Sequence, residues 1–220
     1  MRIMKSIKAI AFDCDGVLFN THKANTAFYN QILIHMGKER LTPVQFSYVH
    51  MHTVDDSLMF LFPDDMDRTN AHLFRKRMDY LPFIKDMEIE PNLKPVLSRI
   101  RKHYKTAIAT NRSDTMGAVI REHRLDGLFD LIVSARDVPN PKPHPDPLIK
   151  VLHHFSIKPE EAIYVGDSEV DEQAAERAGV TLVAYRNPSL STPYHIETLL
   201  ELETLLEEQL SPKDSISSIR

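Results

Sequence analysis

Ala9-Ile10-Ala11-Phe12-Asp13-Cys14-Asp15-Gly16-Val17 is the stretch that sets the fold. Four apolar residues run without alternation, the pattern of a strand covered on both faces. Two carboxylates and a glycine follow at once. Four more short runs behave alike: Thr106–Ala109, Leu131–Ser134, Ala162–Val165 and Val180–Ala184. Between them lie helical stretches. These are Lys94–His103, Ser113–His123, one capped by Asp146 with Pro147 at its first position, and Ser168–Ala178 with Gly179 as its stop. Strand and helix in alternation predict an α/β fold, a doubly wound and mostly parallel sheet with helices on both faces.

Residues 21–90 break that rhythm. Ala24, Phe28, Ile32 and Met36 recur every four residues, as on one face of a helix. Leu58–Phe62 and Ala71–Tyr80 also read as helical, and no strand is expected in the segment. It reads as a small all-helical insert after the first strand, with Pro91 and Pro95 marking the return. The chain then divides into an α/β core (1–20 and 91–210), the insert (21–90) and a polar, Ser-rich, frayed tail (211–220).

The composition is that of an ordinary globular protein: 220 residues, 42% hydrophobic and 26% charged. A formal charge of −4 gives no basic surface for nucleic acid or an anionic membrane. No apolar run approaches the roughly 20 residues of a membrane helix. The basic start, Met1 to Lys8, runs straight into a strand and lacks the pattern of a signal peptide. Cys14 is the sole cysteine, so no intramolecular disulfide can form. A reducing, cytoplasmic location is expected.

In open parallel sheets, ligands bind beyond the carboxyl ends of the strands. Four strand ends here carry reactive residues: Asp13 and Asp15; Thr110 and Asn111; Pro141-Lys142-Pro143; and Gly166-Asp167-Ser168 with Asp171 beyond. They supply what phosphoryl transfer needs. One carboxylate can attack phosphorus. A second can act as general acid, then base. A hydroxyl and an ammonium can hold the equatorial oxygens. Converging carboxylates without a metal would repel one another, which implies Mg²⁺, a hard cation with oxygen ligands.

These motifs, in this order and each at a strand end, resemble the haloacid dehalogenase-like superfamily, in its phosphoglycolate phosphatase and β-phosphoglucomutase branch. The resemblance implies a Rossmann-like core and makes the insert a helical cap. It implies a phosphatase acting on a small phosphorylated metabolite, with Asp13 as nucleophile and Asp15 as acid and base. It implies Mg²⁺ held by Asp13, the Asp15 backbone carbonyl and Asp167. Thr110, Asn111 and Lys142 would contact the phosphoryl group, and Asp171 would support the metal through water or Lys142. Asn20 stands where many relatives carry an acid, close to the hinge and cap. Val54 stands where the branch's mutases place an arginine for a second phosphate, which favours hydrolysis over a phosphosugar mutase. A receiver-like signalling module would place its acceptor aspartate after the third strand, and a non-catalytic phosphate binder would have lost a motif residue.

Several residues also have plain structural readings. Ser168 and Asp171 are spaced as a capping box. Lys142 could be a solvated loop lysine, but its two flanking prolines stiffen the backbone. Cys14 between two carboxylates should have a raised pKa and stay unreactive. His50 and His52, with Asp55 and Asp56 close by, lack a convincing third metal ligand, and His50, His52 and Asp55 read as a cap lip that selects substrate. His153 and His154 read as residues of an ordinary helix, and Glu197–Glu208 as an amphipathic helix.

Overall fold

The computed structural model describes residues 7–210. The frayed tail expected at 211–220 lies outside the described residues. Six parallel strands form the main sheet: β1 (Ala9–Phe12), β4 (Lys105–Ala109), β5 (Leu131–Val133), β6 (Ala162–Gly166), β7 (Thr181–Tyr185) and β8 (His195–Ile196). Their order is β5-β4-β1-β6-β7-β8, so β1 lies inside the sheet between β4 and β6. This is the doubly wound α/β fold that the apolar runs predict.

The two faces of the sheet hold separate cores. Ile10, Phe12, Ile108, Val165 and Tyr185 face α6 (Leu93–Ile100), α7 (Met116–Glu122) and α10 (Leu199–Leu210). Ala11, Ala107, Ala109 and Ala184 face α8 (Asp146–Phe155) and α9 (Glu169–Ala178). Small residues on both sides, including Ala174, Ala175 and Ala178, let α9 lie close to the strands. Helix α8 starts at Asp146 itself, one residue earlier than a cap there would place it, with Pro145 as its cap. Helix α9 stops at Gly179, whose φ of 70° is the left-handed conformation that ends helices.

Residues between the first strand and α6 carry five helices: α1 (His22–His35), α2 (Pro43–Met51), α3 (Val54–Leu61), α4 (Asp65–Arg75) and α5 (Leu81–Lys85). Phe28, Ile32, Val49, Leu58 and Phe62 form a core of their own there. The expectation of no strand in this stretch is corrected. β3 (Glu88–Ile89) pairs antiparallel with β2 (Phe19–Asn20), so a short ribbon joins the way out to the way back. Two residues per strand are too few for a period to register, and both residues of β3 are exposed. Glu90, just past the ribbon, accepts a two-pronged bond from Arg186 at 2.9 and 3.1 Å. Among the described residues no helix is long and apolar enough to cross a membrane.

Candidate active site

The carboxyl ends of β1, β4 and β6 meet beneath the helical insert. Asp13 follows β1, its backbone N–H bonded to the Val165 carbonyl at 2.9 Å. Gly16 turns the chain with φ of 86°, and a Cβ there would stand 2.0 Å from Asp167 Oδ2. Glycine is therefore required on two counts: the left-handed backbone and the approach of Asp167.

Lys142 is almost wholly buried and ties three elements together. Its Nζ donates to Asp171 Oδ1 at 2.6 Å and to the Tyr164 hydroxyl at 2.8 Å. It also stands 2.8 Å from Asp13 Oδ1 in an ion-pair contact. Asp171, on the first turn of α9, is saturated. Beyond Lys142, it accepts from the Ser168 N–H and hydroxyl at 3.1 and 2.6 Å and from the Asp167 N–H at 3.2 Å. Asp167 is the opposite case: its Oδ1 is buried and has no hydrogen-bond partner.

The charge states follow. Burial pushes the Asp13 carboxyl up to about 7, with Lys142 opposing and Asp171 adding to the rise. Burial, and then the fields of Asp171 and Asp13, push Asp167 well above the usual carboxylate range. Burial also works to raise Asp171, but Lys142 and the bonds from Ser168 and Tyr164 hold it below that range. Oxygens of Asp13, Asp167 and Asp171 lie within 4.8 Å of one another, and the Lys142 ammonium contacts two of the three, Asp13 and Asp171. Three acids against one cation, with burial opposing the charge on two of them, form a donor set that a hard divalent cation fits. Asp171 belongs to that set by position only, since both its oxygens are already taken. Cys14 is buried, and burial followed by the Asp15 charge raises its thiol, as its sequence position implies.

Thr110 is buried after β4, and its hydroxyl accepts from the Arg112 N–H at 3.2 Å. Asn111, which the sequence suggests for phosphate contact, lines the cleft beside Thr110. Its amide group donates to the Lys142 carbonyl at 2.9 Å and to the Met51 carbonyl at 3.0 Å. It braces the lysine loop and ties α2 of the insert to the core.

A cleft between insert and core is lined by Asp13, Asp15, Thr110, His50, His52 and Val54, among others. His50 packs against the Phe46 ring, and burial lowers its pKa. His52 stacks on Tyr48, with its Nδ1 donating to the Tyr48 carbonyl at 2.9 Å. Asp55 is not in the lining. Its carboxylate is exposed and lies 3.9 Å from His72. It occupies the first turn of α3, where an acid favours the helix dipole.

Arg112 is the residue the sequence reading passed over. Its Nε and one Nη donate to the two oxygens of Asp15 at 3.1 and 2.6 Å, and the other Nη donates to Thr115 Oγ1 at 3.0 Å. Burial would raise Asp15, but Arg112 holds it below the usual carboxylate range. The available signal was a cation directly after Thr110-Asn111. A second missed contact is the pair of buried Arg75, on α4, with Asp114 at 2.7 Å.

A parallel sheet with paired aspartates, a buried lysine and a further acid at its carboxyl edge has the groups that phosphoryl transfer needs. The sequence profile of the haloacid dehalogenase-like hydrolases matches residues 10–185. The chain belongs to that family and is a phosphatase. It is 30% identical over 189 residues to pyrophosphatase PpaX of Bacillus cereus, covering 81% of this chain and 82% of that protein. It is 40% identical to a HAD-superfamily hydrolase of subfamily IA, variant 1, from Geobacter sulfurreducens. That crystal structure superposes with a TM-score of 0.75 over 91% of this chain and 96% of its own. β-Phosphoglucomutase of Clostridium difficile, 17% identical, shares the fold at a TM-score of 0.81 over 93% and 97%.

Proposed function

We propose that the protein is a Mg²⁺-dependent phosphatase that cleaves a small phosphate monoester or anhydride through an aspartyl phosphate on Asp13. The observation that carries this reading is the Asp13 carboxylate at the end of the central strand. It lies against the Lys142 ammonium, with unpartnered Asp167 beside it. Asp13 attacks phosphorus while the bond to the leaving oxygen breaks, and Asp15, once released from Arg112 and protonated, gives that oxygen its proton. Water then attacks the same phosphorus. Asp15 takes the water's proton, and inorganic phosphate leaves with Asp13 restored. Lys142 and the Thr110 hydroxyl hold phosphoryl oxygens. Mg²⁺ bound by Asp13, the Asp15 carbonyl and Asp167 would neutralise charge between nucleophile and phosphoryl group. Asp171, by holding Lys142 and the 167–168 backbone, fixes the geometry of both. Residues 21–90 act as a cap over the site.

Asp13→Asn keeps the shape of the side chain but cannot form the acyl phosphate. Turnover of acetyl phosphate with Mg²⁺ should fall to about 1% or less, by the usual cost of losing a nucleophile, with the melting temperature preserved. EDTA should remove the wild-type activity and added Mg²⁺ restore it. A variant that keeps a tenth of the rate, or a wild type indifferent to EDTA, defeats the reading.

A further inference from the structure

Arg112 is the only arginine or lysine among the described residues that line the cleft. The cations around it are committed elsewhere. Arg75 and Arg136 both bind Asp114, at 2.7 and 3.3 Å, and Lys142 is held between Asp13 and Asp171. Arg112 has an Asp15 carboxylate in its fork, a planar anion gripped by two parallel N–H groups. Only three of its five N–H groups are engaged. Its side chain is 9% exposed, so an anion that meets it does so with little water between them.

We propose that Arg112 reads the leaving group by gripping a second anionic group on the substrate. The substrates are then phosphate esters or anhydrides with a carboxylate or second phosphate within one or two atoms of the scissile bond. The distance limit follows from the contact: the guanidinium already touches the residue that meets the leaving oxygen. The fork fits either anion in two-pronged fashion. An incoming anion competes with Asp15 for the fork, which turns the Asp15 oxygens back toward the leaving oxygen. A neutral leaving group offers no such competitor, and Asp15 stays tied. The inference rests on the roles given to Asp13 and Asp15 above. It also places the second-anion grip on the core, after β4, and not at Val54 in the insert.

The test compares kcat/KM for 2-phosphoglycolate, pyrophosphate and 2-hydroxyethyl phosphate, which matches phosphoglycolate in size but ends in an alcohol. Wild type should favour at least one anionic substrate over the alcohol by about tenfold or more, the usual worth of a charge-assisted bond. Whichever of carboxylate or phosphate is favoured names the source of the anion. Arg112→Ala should bring the ratio close to one, through KM as the grip on the second anion is lost and through kcat as Asp15 is no longer tied for the alcohol, and Arg112→Lys should restore part of it. A wild type with no preference overturns the inference, as does an Arg112→Ala enzyme whose ratio is unchanged while all rates fall together. If the alanine variant is unfolded by circular dichroism, the wild-type ratio and the lysine variant decide. Turnover of acetyl phosphate with none of the three also overturns it. Loss of acetyl phosphate turnover as well would overturn the phosphatase reading instead.

Discussion

Asp167 and Asp171 leave the same short stretch of chain with opposite surroundings. Asp171 fills every acceptor position it has, while Asp167 Oδ1 is buried without a partner. Removing the Asp171 charge strips Lys142 of its shortest contact and leaves the lysine to Asp13. Asp171→Asn should therefore destabilise by on the order of 3 kcal/mol, or about 10 °C in Tm. It should keep a Tm that rises with Mg²⁺. Asp167→Asn removes a charge that burial already opposes, so Tm without metal should hold or rise. The upward shift with Mg²⁺ should disappear, since a ligand raises Tm only through what it binds in the folded state. Differential scanning calorimetry with and without Mg²⁺ separates the two, and an equal loss of the Mg²⁺ shift in both would show that they share the ligand role. The motif residues were legible because their chemistry needs fixed types at strand ends. The brace made by Asn111 and the fork of Arg112 were not, because their partners lie 31, 60 and 97 residues away.

Elements were legible in proportion to their length. The long inner strands read as apolar runs because both faces are covered. The face of Ala24, Phe28 and Ile32 read as a helix because all three are buried. Two-residue β2, β3 and β8 carry no period and were invisible. The insert also holds a core apart from the sheet, and Leu58 sits at 0% exposure within it. Leu58→Ala should cost roughly 2–5 kcal/mol through lost burial and the cavity left behind. Val44, on α2 but 76% exposed, is its control, and Val44→Ala should stay within about 0.5 kcal/mol of wild type. Urea titrations of the two variants measure the difference. Similar midpoints would mean that the helices of residues 21–90 lean on the core and not on one another.

At the scale of the whole molecule, the chemistry lies on the core and the cleft closes against the insert. Two of the three side chains assigned to the lip, His50 and His52, line that cleft, and Asp55 does not. The insert meets the core through the Asn111 to Met51 bond and the Arg75–Asp114 pair. On the proposed mechanism, an insert held this way would read the part of the substrate that Arg112 does not reach, and exclude water while the aspartyl phosphate forms. His50→Ala and His52→Ala should therefore change the relative kcat/KM among larger phosphate esters severalfold. The rate with acetyl phosphate, too small to touch the lip, should stay within about twofold of wild type. Asp55→Ala should alter neither, since its carboxylate is exposed and lies outside the cleft lining. Steady-state rates across a panel of esters decide it. An equal fall on every substrate, acetyl phosphate included, would move the two histidines from specificity into the chemistry or the fold. A change in selectivity at Asp55 would mean that the insert meets the substrate beyond the cleft lining.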